Sequence, residues 1–224
     1  MSRGESNNFH GLLHRLEGIY QNLGTNDLSA VATRILARVE SASSPSDAEP
    51  QSRWDETRCL LISYADSLSD GRKSPIACLG EFVETHLDEV IDGLHILPFF
   101  PSTGDDGFSV MDYRAVDPRL GSWKDITKIS ASKKIMADVI LNHASKSSNW
   151  FRQFVDGEAP GKDYFLSVDE SFDISNVIRP REHALLQNIE TAAGPRHIWC
   201  TFSEDQVIST FQTQRCWKNL SLSF

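Results

Sequence analysis

The sequence predicts an α/β fold with parallel strands, and three observations lead to this prediction. Short, continuous apolar runs occur at residues 59–64, 93–100 and 134–141, which is the pattern of strands buried on both faces. Segments with helical periodicity at 75–90 and 122–130 separate these runs. This alternation with short links favours parallel strands joined by right-handed crossovers. An open doubly wound sheet and a closed barrel both fit the pattern.

The first helical segment precedes these strands. Leu12, Leu16 and Ile19 recur at helical spacing, and a second periodic run follows a break at residues 24–27. We therefore expect a helical N-terminal extension over residues 1–41. Residues 42–56 are rich in Ser, Pro and acidic side chains and are predicted to be a linker.

The helix between the second and third strands is predicted to begin after Ser122, a favourable N-cap residue. Beyond the third strand, residues 146–199 are interrupted by Pro and Gly, and we expect an irregular excursion there. Long excursions in compact domains are often functional.

Composition narrows the function classes. The chain has 224 residues and a net charge of −9, which argues against a nucleic-acid partner because phosphate binding favours a basic surface. No apolar run approaches the ~18 residues of a membrane span. The N-terminal residues lack the pattern of a secretion signal, and the four cysteines form no CxxC pair. We therefore expect a cytoplasmic location and no membrane partner.

Polar side chains cluster where the second and third strands end. Asp105 and Asp106 follow the second strand, while Asp138, Asn142 and His143 lie at the end of the third. The C-terminal ends of parallel strands are where α/β folds place their active sites. Structural alternatives remain open at each position. The first pair suits a turn, the carboxylate within the third run could be satisfied by backbone amides, and the last two suit a strand cap.

Four segments, in order, carry a family resemblance. DVILNH at 138–143 resembles the first conserved region of the α-amylase superfamily (glycoside hydrolase family 13), and the run from His95 to Ile126 resembles its second-strand segment. The particular form of that run, with PFFPS, Gly-Asp and LGSW, is similar to the sucrose phosphorylase and glucosylglycerate phosphorylase-like subfamily. The segments at 179–181 and 198–207 resemble the same subfamily, so the likeness runs from about residue 57 to 207.

The resemblance implies a partial (β/α)8 TIM barrel, with the first three strands at 57–143 and an inserted small domain with the return to the barrel at 144–207. Such barrels typically need about 250 residues. An incomplete barrel would leave the third strand with an unpaired edge, so we expect poor solubility or partial unfolding.

The resemblance also implies roles for individual side chains. The matching residues that bind the sugar are Asp105, which holds the glucosyl ring by its hydroxyls, Phe108, which forms an apolar wall, and His143, which hydrogen-bonds the ring. Gln206 is expected near the cleavage point.

Other matching residues support the site. Asp138 corresponds to an aspartate that orients an arginine beside the nucleophile, and Asn142 helps to hold a loop. Asp112 and Tyr113 are expected to shape the loop rather than touch substrate. The subfamily generally needs no calcium, so we expect no metal and no cofactor.

The implied activity is retaining transfer of a glucosyl group from an α-glucoside, such as sucrose or glucosylglycerate, to inorganic phosphate through a glucosyl-enzyme. Retention needs two carboxylates ~5–5.5 Å apart. In the family these are an Asp in an RLDA-like segment and a later Glu, and neither is found after Gln206. We therefore expect this chain to lack catalytic residues and to be an inactive fragment. Alternatives are a non-catalytic sugar-binding remnant, a hydrolase or isomerase of the same superfamily, or an unrelated doubly wound binding domain.

The segment 208–224 does not resemble the family. Its codons can be chosen so that the reading frame one base earlier gives DLNFPNPEVLEE, which is family-like. We therefore expect an out-of-frame tail, with a divergent C-terminus as the alternative. The coding DNA around codon 207 tests this expectation.

Overall fold

The computed structural model describes residues 3–20, 24–42, 55–178 and 181–210. The chain divides into two compact units, Met1–Trp54 and Asp55–Phe224. Most of the predicted linker, two residues of the 179–181 segment and most of the predicted out-of-frame tail lie outside the described residues. The elements are α1 (Arg3–Ile19), α2 (Thr25–Ala42), β1 (Leu60–Ser63), α3 (Pro75–His86), β2 (Gly93–Ile96), α4 (Trp123–Ser130), β3 (Lys134–Ala137), β4 (His143–Ser145), α5 (Asn149–Asp156), β5 (Ser167–Val168), β6 (Leu186–Thr191), β7 (Gly194–Trp199) and β8 (Gln206–Ile208).

The first unit contains the helices α1 and α2, which pack against each other. Leu16, Leu28 and Ala32 form their buried core, as expected from the helical spacing of the apolar residues. None of the described helices in either unit is long and apolar enough to cross a membrane.

The second unit is built on a parallel sheet of order β1-β2-β3. The helices α3 and α4 connect these strands and supply Ile76, Leu79 and Ile129 to the main core beside Leu94. This arrangement confirms the predicted α/β class. Ser122 begins α4 as predicted, in a capping box in which the Asp125 carboxylate accepts the Ser122 backbone N–H at 2.8 Å.

The expectation that all three strands are buried on both faces is wrong for the outer two. The central strand β2 is buried throughout. Ile62 of β1 and Met136 of β3 are in register with His95 of β2, yet they remain 58% and 50% exposed. Helices cover one face of the sheet, and among the described residues little covers these two side chains on the other.

The strands are also shorter than the apolar runs predicted. Strand β2 ends at Ile96, two residues before Pro98, which has no N–H to donate to a neighbouring strand. Strand β3 ends at Ala137, and the next residue, Asp138, uses its carboxylate to bind His95 at 2.9 Å.

The expectation of an irregular excursion over residues 146–199 is also wrong. Helix α5 lies there, capped by the Ser148 hydroxyl, together with an antiparallel sheet of order β5-β7-β6. These strands are short and polar on one side, so their periodicity is weak in the sequence. The separate pairing of β4 with β8 forms a two-stranded antiparallel ribbon.

Candidate functional site

The loop that follows β2 carries the first predicted site residue. An isolated bridge between Ser102 and Val110 closes its base, and a 3-10 turn at Asp105–Gly107 forms its tip. Asp105 and Asp106 adopt φ of 54° and 48°, a left-handed conformation that is unfavourable for most residues other than glycine and that Asp tolerates better than most. The loop therefore presents Asp105 from a strained turn.

Gly107 makes this turn possible. Its φ is +95°, and a Cβ atom there would lie 2.5 Å from the carbonyl oxygen of Pro98. Any larger residue would both clash with the end of the second strand and adopt a disfavoured backbone conformation. The tip of the loop is thus packed directly against the C-terminal end of the sheet.

The β4–β8 ribbon brings two further predicted residues to this loop. Gln206 is 1% exposed, and its Nε2 donates to Asp105 Oδ2 at 2.7 Å. The same nitrogen lies 3.0 Å from Nε2 of the buried His143. Three residues that are far apart in the sequence therefore converge at the C-terminal end of the parallel sheet.

The imidazole of His143 has more neighbours than one protonation state can satisfy. Its Nε2 lies 2.9 Å from the carbonyl oxygen of Phe108, which needs a proton, and 3.0 Å from Nε2 of Gln206, which needs a lone pair. Its Nδ1 lies 3.0 Å from Asn142 Oδ1. A proton on Nδ1 satisfies Asn142 and Gln206 and leaves the Phe108 carbonyl facing a lone pair.

Burial lowers the pKa of the His143 imidazole below its ordinary value, against the opposing influence of the Phe108 carbonyl and the Asp105 carboxylate. The ring is therefore neutral at neutral pH. A neutral imidazole can accept one hydrogen bond and donate another, which suits a ligand hydroxyl.

The side-chain amide oxygen of Gln206 is buried and is not used by the contacts described above. Among the described residues, its Oε1 is buried without a hydrogen-bond partner. Such a group costs about 1–3 kcal/mol of desolvation. The same amide uses its nitrogen to contact Asp105 and His143, so its oxygen is available to a hydroxyl or a water beside them.

The supporting residues are placed at the edge of this cluster. Asn142 contacts His143 through its side chain, and its carbonyl accepts the Ser209 N–H at 2.9 Å. Asp138 is bound by His95 at 2.9 Å and keeps 27% of its side chain exposed. Neither backbone amides nor deep burial accounts for this carboxylate, and its role beside an arginine stays a prediction.

The aromatic ring nearest to His143 is not the predicted one. Phe108 is half-buried, packs against the main core and contributes its carbonyl to His143. The ring that lies against His143 is Phe202, with centroids 4.8 Å apart. That Phe108 forms the apolar wall of the site stays a prediction.

The loop-shaping residues lie beneath the site. The Asp112 carboxylate accepts the Arg114 N–H at 2.9 Å, and the buried hydroxyl of Tyr113 donates to the carbonyl of Ile140. Burial raises the pKa of the Tyr113 phenol, so it stays protonated. No group of His, Cys, Asp or Glu that could hold a metal ion occurs among the residues that the structure describes.

A cluster of hydroxyls around Asp205 was not predicted from the sequence. The Asp205 carboxylate accepts hydrogen bonds from Thr103 and Ser109, and Ser145 Oγ lies 2.8 Å from Thr103 Oγ1. Burial would raise the pKa of Asp205, but hydrogen bonds from Ser109, Thr103 and Ser145 outweigh it and hold the pKa below its ordinary value. The partners in these three contacts are 42 to 102 positions apart in the sequence, so no local pattern reveals them.

Comparison with known proteins places this geometry in context. Residues 87–206 match the family model for the alpha amylase catalytic domain. A glucosylglycerate phosphorylase of Spirochaeta thermophila is 45% identical over 161 residues, which cover 72% of this chain and 27% of that protein. A sucrose phosphorylase of Streptococcus mutans is 34% identical over 161 residues, covering 67% of this chain and 33% of that protein.

The fold agrees with that of solved structures. The crystal structure of a sucrose 6F-phosphate phosphorylase from Thermoanaerobacter thermosaccharolyticum matches with a TM-score of 0.65 and 24% identity, covering 77% of this chain and 37% of that one. The chain spans about a quarter to a third of the length of the curated relatives it matches. These matches confirm the resemblance expected from the sequence and the predicted partial (β/α)8 barrel.

Proposed function

The chain belongs to the α-amylase catalytic-domain family, and from this premise we propose that it supplies the glucosyl-holding part of the site of a retaining glycoside phosphorylase. The substrates we propose are an α-glucoside, such as sucrose or glucosylglycerate, and inorganic phosphate. The relatives named above, which are phosphorylases of glucosylglycerate and sucrose, support this choice.

One observation carries the proposal: Asp105 and His143 both contact the side-chain nitrogen of Gln206, whose buried Oε1 has no hydrogen-bond partner among the described residues. Sugar hydroxyls donate one hydrogen bond and accept others, so they can serve a carboxylate, a neutral imidazole and an amide oxygen together. Sites built to bind hydroxyls discriminate strongly against ligands that lack them, because the buried polar groups are then left unpaired.

A ligand hydroxyl could also use the acceptor that the described residues leave without a partner. A hydroxyl that donates to Gln206 Oε1 would complete the hydrogen bonding of that amide and would leave the Nδ1 proton of His143 on Asn142. The nearby Asp105 carboxylate, exposed at the tip of its loop, is placed to accept from a second hydroxyl. Two neighbouring hydroxyls of a pyranose ring fit this pattern of donors and acceptors.

In this proposal the described residues bind the ring and take no part in breaking the glycosidic bond. The nucleophile and the acid/base of a retaining reaction must lie ~5–5.5 Å apart across that bond. Neither role is assigned to a carboxylate of the described residues. Asp138 and Asn142 are proposed to hold the surrounding structure in place.

An assay of glucose 1-phosphate release tests the activity. The present chain and a variant chain whose codons after 207 are read one base earlier are each incubated with sucrose or glucosylglycerate, with and without phosphate. The proposal predicts phosphate-dependent release by the variant chain only. Release of glucose without phosphate would identify a hydrolase instead, and release of glucose 1-phosphate by the present chain would overturn the assignment of its residues to binding alone.

Location and other partners remain proposals. The cysteine usage and the acidic net charge of −9 favour a cytoplasmic protein that does not bind nucleic acid. Fractionation of cells that express the gene tests the compartment directly.

A further inference from the structure

We propose that Asp205 is a positioning residue whose carboxylate latches the loop 102–110 onto the β4–β8 ribbon and so holds Asp105 against Gln206. The inference rests on the proposed function only for the ligand, because the latch itself is a property of the unliganded chain. Its carboxylate makes no hydrogen bond to the three polar side chains that converge at the site.

The protons of the cluster can be assigned from its chemistry. A carboxylate only accepts, so the hydroxyls of Thr103 and Ser109 both donate to Asp205. Thr103 has one proton and has given it away, so Ser145 is the donor in its 2.8 Å contact with Thr103, and it shares that proton with the Asp205 carboxylate, whose pKa its hydrogen bond helps to lower. Ser145 Oγ in turn accepts the Ser147 N–H at 2.9 Å. Every hydroxyl of the cluster thus donates once.

The latch joins the two elements that make the site. Thr103 and Ser109 flank the turn that carries Asp105, and they are themselves joined by a backbone hydrogen bond from Thr103 N–H to the Ser109 carbonyl at 3.1 Å. On the ribbon, Ser145 pairs in register with Gln206, the residue next to Asp205. A single carboxylate therefore links both sides of the loop to the ribbon.

The turn needs an anchor because it is strained. Two consecutive aspartates have positive φ, and such conformations persist only where the surrounding structure enforces them. The bound oxygen of Asp205, Oδ2, receives both hydroxyls on one side, and the backbone carbonyl of the same residue accepts the Lys146 N–H at 2.9 Å. Both halves of the residue are thus fixed, and charge-assisted hydrogen bonds are the stronger kind.

Hydrogen exchange tests the latch in the full 224-residue chain without ligand. Asp205→Asn places an NH2 group or a neutral oxygen where the charged acceptor lies, and Thr103→Val removes one donor at nearly constant volume. Both variants are expected to speed exchange of the amides in segment 102–110 by at least ten-fold and to leave helix α3 unchanged. Asp70→Asn is the matched control, since the Asp70 carboxylate accepts two backbone N–H bonds, at 2.8 and 2.9 Å, in another loop.

The exchange pattern separates positioning from general stability. An equal acceleration in segment 102–110 and in α3 for both variants, or no acceleration in either, overturns the latch. Acceleration of segment 102–110 by the control variant overturns it as well.

A glucose titration followed by NMR keeps the two proposals apart. If the latch holds, Asp205→Asn weakens glucose binding at least ten-fold, Asp205→Glu recovers part of the loss, and the imidazole signals of His143 move in the unliganded variant. If the wild-type chain binds no glucose while the selective exchange effect persists, the latch stands and the proposed function fails. If the wild type and Asp205→Asn bind glucose equally well, the latch fails and the proposed function stands.

Discussion

Replacing Gln206 by methionine should separate stability from ligand binding. The side chain is 1% exposed, and its amide donates to Asp105 at 2.7 Å while Oε1 has no partner among the described residues. Methionine has a similar length and volume and fills irregular space well. The substitution therefore removes polar groups without opening a cavity.

The opposing free-energy contributions largely cancel. Losing the hydrogen bond to Asp105 costs about 1.5 kcal/mol, because that carboxylate is exposed and water replaces the donor, and losing the contact with His143 costs about 1 kcal/mol more. Removing the buried oxygen without a partner recovers about 1–3 kcal/mol. We expect the free energy of unfolding to fall by no more than about 1.5 kcal/mol. The neighbouring Val207→Ala is the control, because losing two buried carbons at about 0.8 kcal/mol each costs about 1.6 kcal/mol before any cavity term.

The assay combines urea unfolding, followed by tryptophan fluorescence, with a glucose titration. Gln206→Met should keep the unfolding midpoint near that of the wild type and weaken glucose binding at least ten-fold, or about 1.4 kcal/mol. A destabilisation above about 3 kcal/mol would show that Oε1 is satisfied in the folded chain. Unchanged glucose affinity would refute the assignment of Gln206 to the ligand.

Three further predictions concern protonation, capping and the open face of the sheet. The free energy of unfolding should fall as the pH drops below 6.5, because the pKa of His143 is lowered in the folded chain and the unfolded chain therefore binds the proton more strongly. The dependence of this free energy on pH should be shallower in His143→Gln. An identical pH dependence in the variant and the wild type would contradict the prediction. Ser122→Ala should lower the free energy of unfolding in urea by about 1 kcal/mol, whereas Lys124→Ala, on the exposed side of the same helix, should leave it almost unchanged. Equal effects of the two substitutions would refute the role of Ser122 as a cap. The exposed Ile62 and Met136 are expected to drive self-association, so Met136→Lys, alone or with Ile62→Thr, should lower the association constant measured by light scattering about five-fold, corresponding to ~1 kcal/mol of apolar burial lost. An unchanged association constant, or a wild-type chain that does not associate, would contradict this expectation.

The fold was predictable where local chemistry decides it. Ser122 has a hydroxyl at the start of an amphipathic segment, and helix α4 begins there with its capping box. The apolar run at β2 also indicates its burial, because this strand has a neighbour on each side in the sheet and helices packed against one face. The burial of β1 and β3 depends on which other elements pack against their open edges and faces. The exposed Ile62 and Met136 show that an apolar run alone does not predict burial.

The site was predictable in its residues but not in its contacts. Resemblance to the family indicated Asp105, His143 and Gln206, which the structure brings together. The latch at Asp205 was missed because its partners come from one loop and a three-residue strand, and such short strands carry no periodicity. Its hydroxyl donors are ordinary loop residues when read one at a time.

We propose that this chain holds a glucosyl ring through Asp105, His143 and Gln206. This proposal is tested most directly by titrating the chain with D-glucose while recording the imidazole signals of His143 and the side-chain amide signals of Gln206, with L-glucose and the Asp105→Ala variant as controls. The account predicts saturable shifts of both groups with D-glucose that are absent or much weaker in each control. An absence of saturable shifts in the wild-type chain, or equal shifts in Asp105→Ala, would contradict it.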